Sequence, residues 1–189
     1  MDMLPGGVSL LAGDQSGTVT QLFPVRDGDA PPRLTAVRSL RAHGAAIEAL
    51  LPEQRRRGFL ALDADGRLGV HHSTSERTLL MLETGSPAPS LALAPRTDGV
   101  LQLDEAGRLS WVRIDNPHPE ISLRTLWGKV WYENYPEPRH IWQSTAATND
   151  FEPKFSLTPL AFGTLKAALY AMLFAIPLAL AGAASTSVF

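Results

Sequence analysis

The chain has 189 residues, 44% of them hydrophobic and 19% charged, with a formal net charge of −2. That length accommodates one modest domain plus a short further segment, and the near-neutral balance argues against a nucleic-acid partner. Cysteine is absent, which excludes disulfides, thiolate metal sites and cysteine nucleophiles.

No signal peptide is read at the N-terminus, because Met1 to Leu11 lacks a basic region followed by an apolar run. Three segments then repeat one pattern: Leu10 to Val19, Leu60 to Val70 and Leu101 to Trp111. Each spells an apolar strand, a tight turn containing Asp and closing on glycine, and a second strand of alternating character. Asp caps such a turn through its own side chain, and glycine accepts the positive φ that a hairpin needs. The turn glycines Gly17, Gly66 and Gly107 lie 49 and 41 residues apart, near the 40 to 45 residues of one four-stranded propeller blade. Leu40 to Leu50, with Ala42-His43-Gly44 inside it, resembles the opening of a WD40-type repeat. Between the second and third turns, Thr78 to Leu82 is predicted as an outer strand, Pro87 to Pro89 as a turn, and Leu91 to Ala94 as the lead into the next strand. The expectation is two and a half to three blades, fewer than the roughly four to eight that close a propeller.

The run Arg55-Arg56-Arg57 sits between Pro52 and Gly58 and reads as a solvated turn. His71 and His72 are adjacent on a predicted strand, so they point to opposite faces and are poorly placed to share a metal. Asp63-Ala64-Asp65-Gly66 lacks the remaining ligands of a calcium loop, and Asp104 with Glu105 reads as turn chemistry. Thr18, Ser73 and Ser110 lie in no nucleophile elbow, and no phosphate-binding glycine loop is present. No catalytic, cofactor-binding or metal-ligating residue is therefore assigned, no cofactor is expected, and the chain is not read as an enzyme.

After Ile114 the character shifts. Asp115 to Glu120 is a proline-rich break, Ile121 to Trp131 is a strand or short helix, and Tyr135-Pro136-Glu137-Pro138 is irregular. All four tryptophans, Trp111, Trp127, Trp131 and Trp142, lie between 111 and 142, with Tyr132 and Tyr135 among them. Amphipathic rings favour the headgroup layer of a membrane. Ser144 to Pro153 reads as an extended linker. From Ala167 to Phe189 no side chain is charged, and about 20 apolar residues of helix cross a bilayer core. The helix proper is expected from near Thr164, with Lys166 snorkelling to the interface and Pro177 tolerated. Gly163, Ala167, Ala168, Ala171, Ala175, Ala179 and Gly182 recur at spacings suited to close packing between membrane helices. A helix buried in a globular core is the competing interpretation.

Trp131 to Pro138, Ile141 to Lys154 and Phe155 to Lys166 together resemble the permease subunit of phosphate ABC transporters, in the long PstC-type form with a WD40-like extracytoplasmic insert. Pro159-Leu160-Ala161-Phe162-Gly163-Thr164-Leu165-Lys166 is similar to the opening of that family's permease core. The resemblance implies a bacterial inner-membrane protein with its β-domain outside the cytoplasm. It implies as partners membrane lipid, another permease subunit, an ATPase subunit and a periplasmic phosphate-binding protein. The helices and the ATPase-docking loop of that family are not found here, so the expectation is a permease fragment that does not transport alone. A membrane-anchored propeller-like interaction scaffold is the alternative. The expected fold is mainly β: partial WD40/propeller-like antiparallel sheets over 1–126, an aromatic and proline-rich juxtamembrane linker over 127–154, and a transmembrane α-helix over 155–189.

Overall fold

The computed structural model describes residues 1–84, 90–104, 106–146 and 151–186. The expected turn at Pro87 to Pro89 and the residue Glu105 lie outside them, as does part of the predicted linker, 147–150.

The first strands form an up-and-down sheet in the order β1 (Asp2–Met3), β2 (Leu10–Gly13), β3 (Thr18–Val25) and β4 (Arg33–Arg41). A second sheet follows in the same manner: β5 (Ile47–Pro52), β6 (Gly58–Asp63), β7 (Arg67–His72) and β8 (Arg77–Glu83). The third contains β9 (Ser90–Leu93), β10 (Gly99–Leu103) and β11 (Leu109–Arg113), with β10 central. All pairings are antiparallel. Among the described residues these sheets close into neither a barrel nor a propeller.

The three predicted hairpins are β2/β3, β6/β7 and β10/β11. At each, a carboxylate accepts from the backbone beyond it. Asp14 Oδ1 takes the N–H of Ser16 (2.8 Å) and Thr18 (3.0 Å), Asp63 Oδ1 takes Asp65 (3.1 Å) and Arg67 (2.9 Å), and Asp104 Oδ1 takes Arg108 (2.8 Å). Gly17, Gly66 and Gly107 close the turns at φ of 80°, 76° and 76°, where a side chain is strained. Two cores join the sheets face to face. Leu11 and Val19 of the first sheet pack with Phe59 and Ala61 of the second. On the opposite face of the second sheet, Leu60, Leu62, Leu68 and Val70 pack with Val100, Leu91 and Leu93 of the third, and with Ile114.

The segment expected as a linker carries structure of its own. Its approach is a short helix, α1 (Leu123–Trp127), opened by a capping box in which the Ser122 side chain accepts from the Thr125 N–H and Thr125 returns a bond to the Ser122 backbone. Val130 bridges Arg139, and β12 (Trp142–Gln143) pairs with β13 (Lys154–Phe155). Two of the aromatics expected at a headgroup layer face inward instead. Tyr132 is 3% exposed, while the Trp131 ring meets Phe23 edge-on at 6.1 Å and its Nε1 donates to the Tyr135 carbonyl (2.9 Å). Trp111, Trp127 and Trp142 remain largely exposed.

The last element, α2 (Thr158–Thr186), is a 29-residue helix of mean hydropathy 2.0 over its most apolar window. It starts earlier than the predicted Thr164, since Pro159 is compatible with a first helical turn and carries no helix-breaking cost there. At about 1.5 Å per residue its 29 residues exceed the roughly 30 Å of a bilayer's hydrocarbon core. None of its residues is buried, so the interpretation as a globular core helix does not hold. Its foot is tied to α1: Leu157 N–H donates to the Leu126 carbonyl (2.7 Å) and Thr158 Oγ1 to that of Trp127 (3.1 Å).

Candidate functional site

Three features outside the helix concentrate polar side chains. The first is a chain that runs from the buried interior of the second sheet to Thr78 on its surface. His43, just before β5, places Nδ1 2.9 Å from Asp63 Oδ2 and Nε2 3.0 Å from His71 Nε2, and His71 Nδ1 lies 3.2 Å from Thr78 Oγ1. Asp63 and His71 are fully buried, and Phe59 lies against the His71 ring at 5.2 Å. Burial first, then the nearby His43, lowers the His71 pKa to about 3, so its ring is neutral. His43 Nδ1–H donates to the Asp63 carboxylate, and a neutral His71 ring, with a single N–H, donates to one of its two neighbours and accepts from the other. Burial pushes the Asp63 carboxyl up, but the Arg67 N–H and His43 outweigh it and hold the pKa below the ordinary value. Through Asp63 the chain locks the β6/β7 turn to the entry of β5. Gly69 makes room for it, because a Cβ there would overlap both imidazoles.

The sequence reading separated His71 from His72, and the structure places them on different faces with different partners. His72 bonds Ser75 Oγ through Nδ1 (3.0 Å) and lines a cavity of about 300 Å³. The cavity is walled by Arg55, Arg56, Arg57, Glu120, Phe151 and Glu152 among others. The arginine run is therefore not simply a solvated turn, since Arg57 is 8% exposed. Burial, and then Arg38, Arg56, Arg77 and Arg57, lower the His72 pKa to about 3. Nearby, the Glu53 carboxyl is 2% exposed, Oε2 has no hydrogen-bond partner, and burial raises its pKa to about 7. Gly58 permits that burial, because a Cβ there would strike the carboxyl.

The third feature is a charged seam between the sheets and the 127–155 segment. Arg57 bonds Glu133 Oε2 (2.7 Å), the Pro5 carbonyl, and lies 3.8 Å from Glu152. Glu133 also accepts from Ser9 Oγ (2.5 Å), which in turn accepts from Gln21 Nε2 (2.7 Å), and Thr74 donates to Glu152. Burial raises the Glu152 pKa, against Thr74 and Arg57. Lys154, 9% exposed, donates to Gln143 Oε1 (3.2 Å) and stands over the Phe151 and Tyr132 rings. Apart from the arginine run and Tyr132, these residues carry no signal in the sequence, because the pairs that build the seam join positions 52 to 124 apart. Among the described residues no group of three or more His, Asp or Glu is placed to hold a metal ion.

Fold and helix together define a mainly β protein carrying an exposed apolar helix of membrane-crossing length. No family model matches the chain, and no curated protein matches it.

Proposed function

We propose that the chain is part of an inner-membrane permease for phosphate import, with α2 as the first helix of the permease core and the sheets as an extracytoplasmic insert. The observation that carries this reading is α2: it is apolar on all sides, buries no residue against the sheets, and carries in its first turns the Pro159 to Lys166 stretch that resembles a permease core. An apolar helix exposed all round is stable only where lipid or other helices cover it. Its small residues, from Gly163 to Gly182, suit close helix packing. In this reading ATP hydrolysis and phosphate capture belong to other subunits, and the 127–155 segment, clamped by Arg57, Glu133 and Glu152, sets how the sheets stand on the membrane.

Disrupting the gene in its host and measuring uptake of radiolabelled phosphate tests the proposal. Loss of uptake at low phosphate, with an ATPase subunit co-purifying from detergent extracts, is expected. Unchanged uptake with no ATPase would favour the second reading, a membrane-anchored interaction scaffold, which the exposed apolar face of the third sheet supports.

A further inference from the structure

The three sheets are serial copies, and the copying identifies an uncovered surface. Aligned on the turn aspartates Asp14, Asp63 and Asp104, the residues Leu60, Leu62, Leu68 and Val70 of the second sheet correspond to Leu101, Leu103, Leu109 and Trp111 of the third. The cross-strand registers agree: Leu60 faces Val70 and Leu62 faces Leu68, as Leu101 faces Trp111 and Leu103 faces Leu109. In the second sheet all four are buried, because the third sheet covers them. In the third sheet the same four positions are 37%, 43%, 68% and 52% exposed. The corresponding positions of the first sheet include Leu11 and Val19, which the second sheet covers. Each sheet thus offers one apolar face to its successor, and only the third has no successor among the described residues. On this face the Trp111 ring packs against Gly99, where a Cβ would overlap it.

The type of cover follows from the same repeat. What covers Leu60 to Val70 is the opposite face of the next sheet, represented by Val100; what covers Leu11 and Val19 is Phe59 and Ala61. Val100 and Phe59 correspond to Leu10 of the first sheet, and Ala61 to Ala12. Leu10 pairs with Met3 and Leu22, and Leu34 lies on the same face through its neighbour strand. Leu10 and Leu22 are only half-buried, while Met3 is 49% and Leu34 58% exposed. The chain therefore carries both halves of its own stacking interface, one at each end of the series.

We propose that a second copy of this chain docks its first sheet on the Leu101, Leu103, Leu109 and Trp111 face, continuing the stack head to tail. The contact is heterologous, so successive copies either close a ring or extend a row. The inference stands apart from the transport reading. The full chain in detergent micelles or nanodiscs, studied by sedimentation, is expected to assemble beyond a monomer as concentration rises. Leu109→Glu/Trp111→Glu is expected to shift it to monomer with an unchanged circular dichroism spectrum, because both side chains are largely exposed before assembly. The native chain has no cysteine, so a short bismaleimide should cross-link a mixture of Leu101→Cys and Leu34→Cys chains and leave each variant alone un-cross-linked. A monomer at every concentration, an oligomer unaffected by the double substitution, or Leu101→Cys chains cross-linking among themselves as efficiently as the mixture would overturn the proposal.

Discussion

At Gly69 the absence of one carbon atom permits a four-residue network. Alanine there would push the His43 and His71 rings apart, and neither has room to move. Gly69→Ala is expected to cost about 2–3 kcal/mol in urea unfolding, combining overpacking with lost hydrogen bonds. Titration follows from the same buried groups. His71 and His72, held near pKa 3, bind fewer protons folded than unfolded between about 3 and 6.5, so stability falls as pH drops through that window. The slope is up to about 1.4 kcal/mol per pH unit for each ring. Glu53 runs the other way. With its pKa raised to about 7, its contribution is present in full below about 4.5 and is lost as pH rises through 7. Glu53→Gln is therefore expected to raise Tm at pH 8, by about 1–3 kcal/mol of stability, and to change little at pH 4.5; calorimetry at both values checks the sign.

The hairpins and the helix differ in how much of them a local sequence dictates. Asp-x-x-Gly turns with flanking alternation are specified within about ten residues, and all three form where the pattern stands. Their aspartates are not equivalent, however. Asp104 is bonded to its own turn and to Arg108, whereas Asp63 also anchors His43. Asp63→Ala is expected to destabilise by about 2–3 kcal/mol and Asp104→Ala by much less, measured as a shift in the urea midpoint. For α2 the expected property is membrane insertion. Leu173, 63% exposed at mid-helix, is replaceable by arginine without loss of any internal contact, so Leu173→Arg leaves the sheets intact. It should nonetheless move the protein from the carbonate-resistant membrane fraction, since arginine at the centre of a spanning helix costs about 2.5–3.5 kcal/mol. Retention of the variant in membranes would count against α2 as a spanning helix.

Across the whole molecule, the seam around Arg57 joins three separate parts: the loop before β2, the turn between β5 and β6, and the segment that delivers the chain to α2. Removing the guanidinium leaves Glu133 and Glu152 in an environment about nine-tenths closed to solvent. Arg57→Ala is expected to destabilise by about 3–5 kcal/mol, and Arg57→Ala/Glu133→Gln to recover part of it. A thermal-shift series on the purified chain separates the two, because a cost arising only from lost packing would not be recovered by the second change.

Much of this was legible in the residues themselves. Local chemistry determines the three Asp turns, the antiparallel strands beside them, the irregular stretch at Tyr135 to Pro138 and the apolar helix, because each depends on neighbours a few positions away. The tertiary structure decided everything that depends on distant partners. It turned Trp131 and Tyr132 inward, where composition pointed to a lipid interface, and it buried Arg57, which local context placed in solvent. It also joined His43, Asp63 and His71, three residues whose separate sequence settings say nothing of one another. The reason is physical: a hairpin turn is stabilised by bonds within its own span, whereas burial is a property of whichever surface the rest of the chain brings to cover it. Leu68 and Leu109 follow the same Asp-x-x-Gly-Arg sequence, yet Leu68 is covered and Leu109 is not, because among the described residues the second sheet has another sheet beside that face and the third has none.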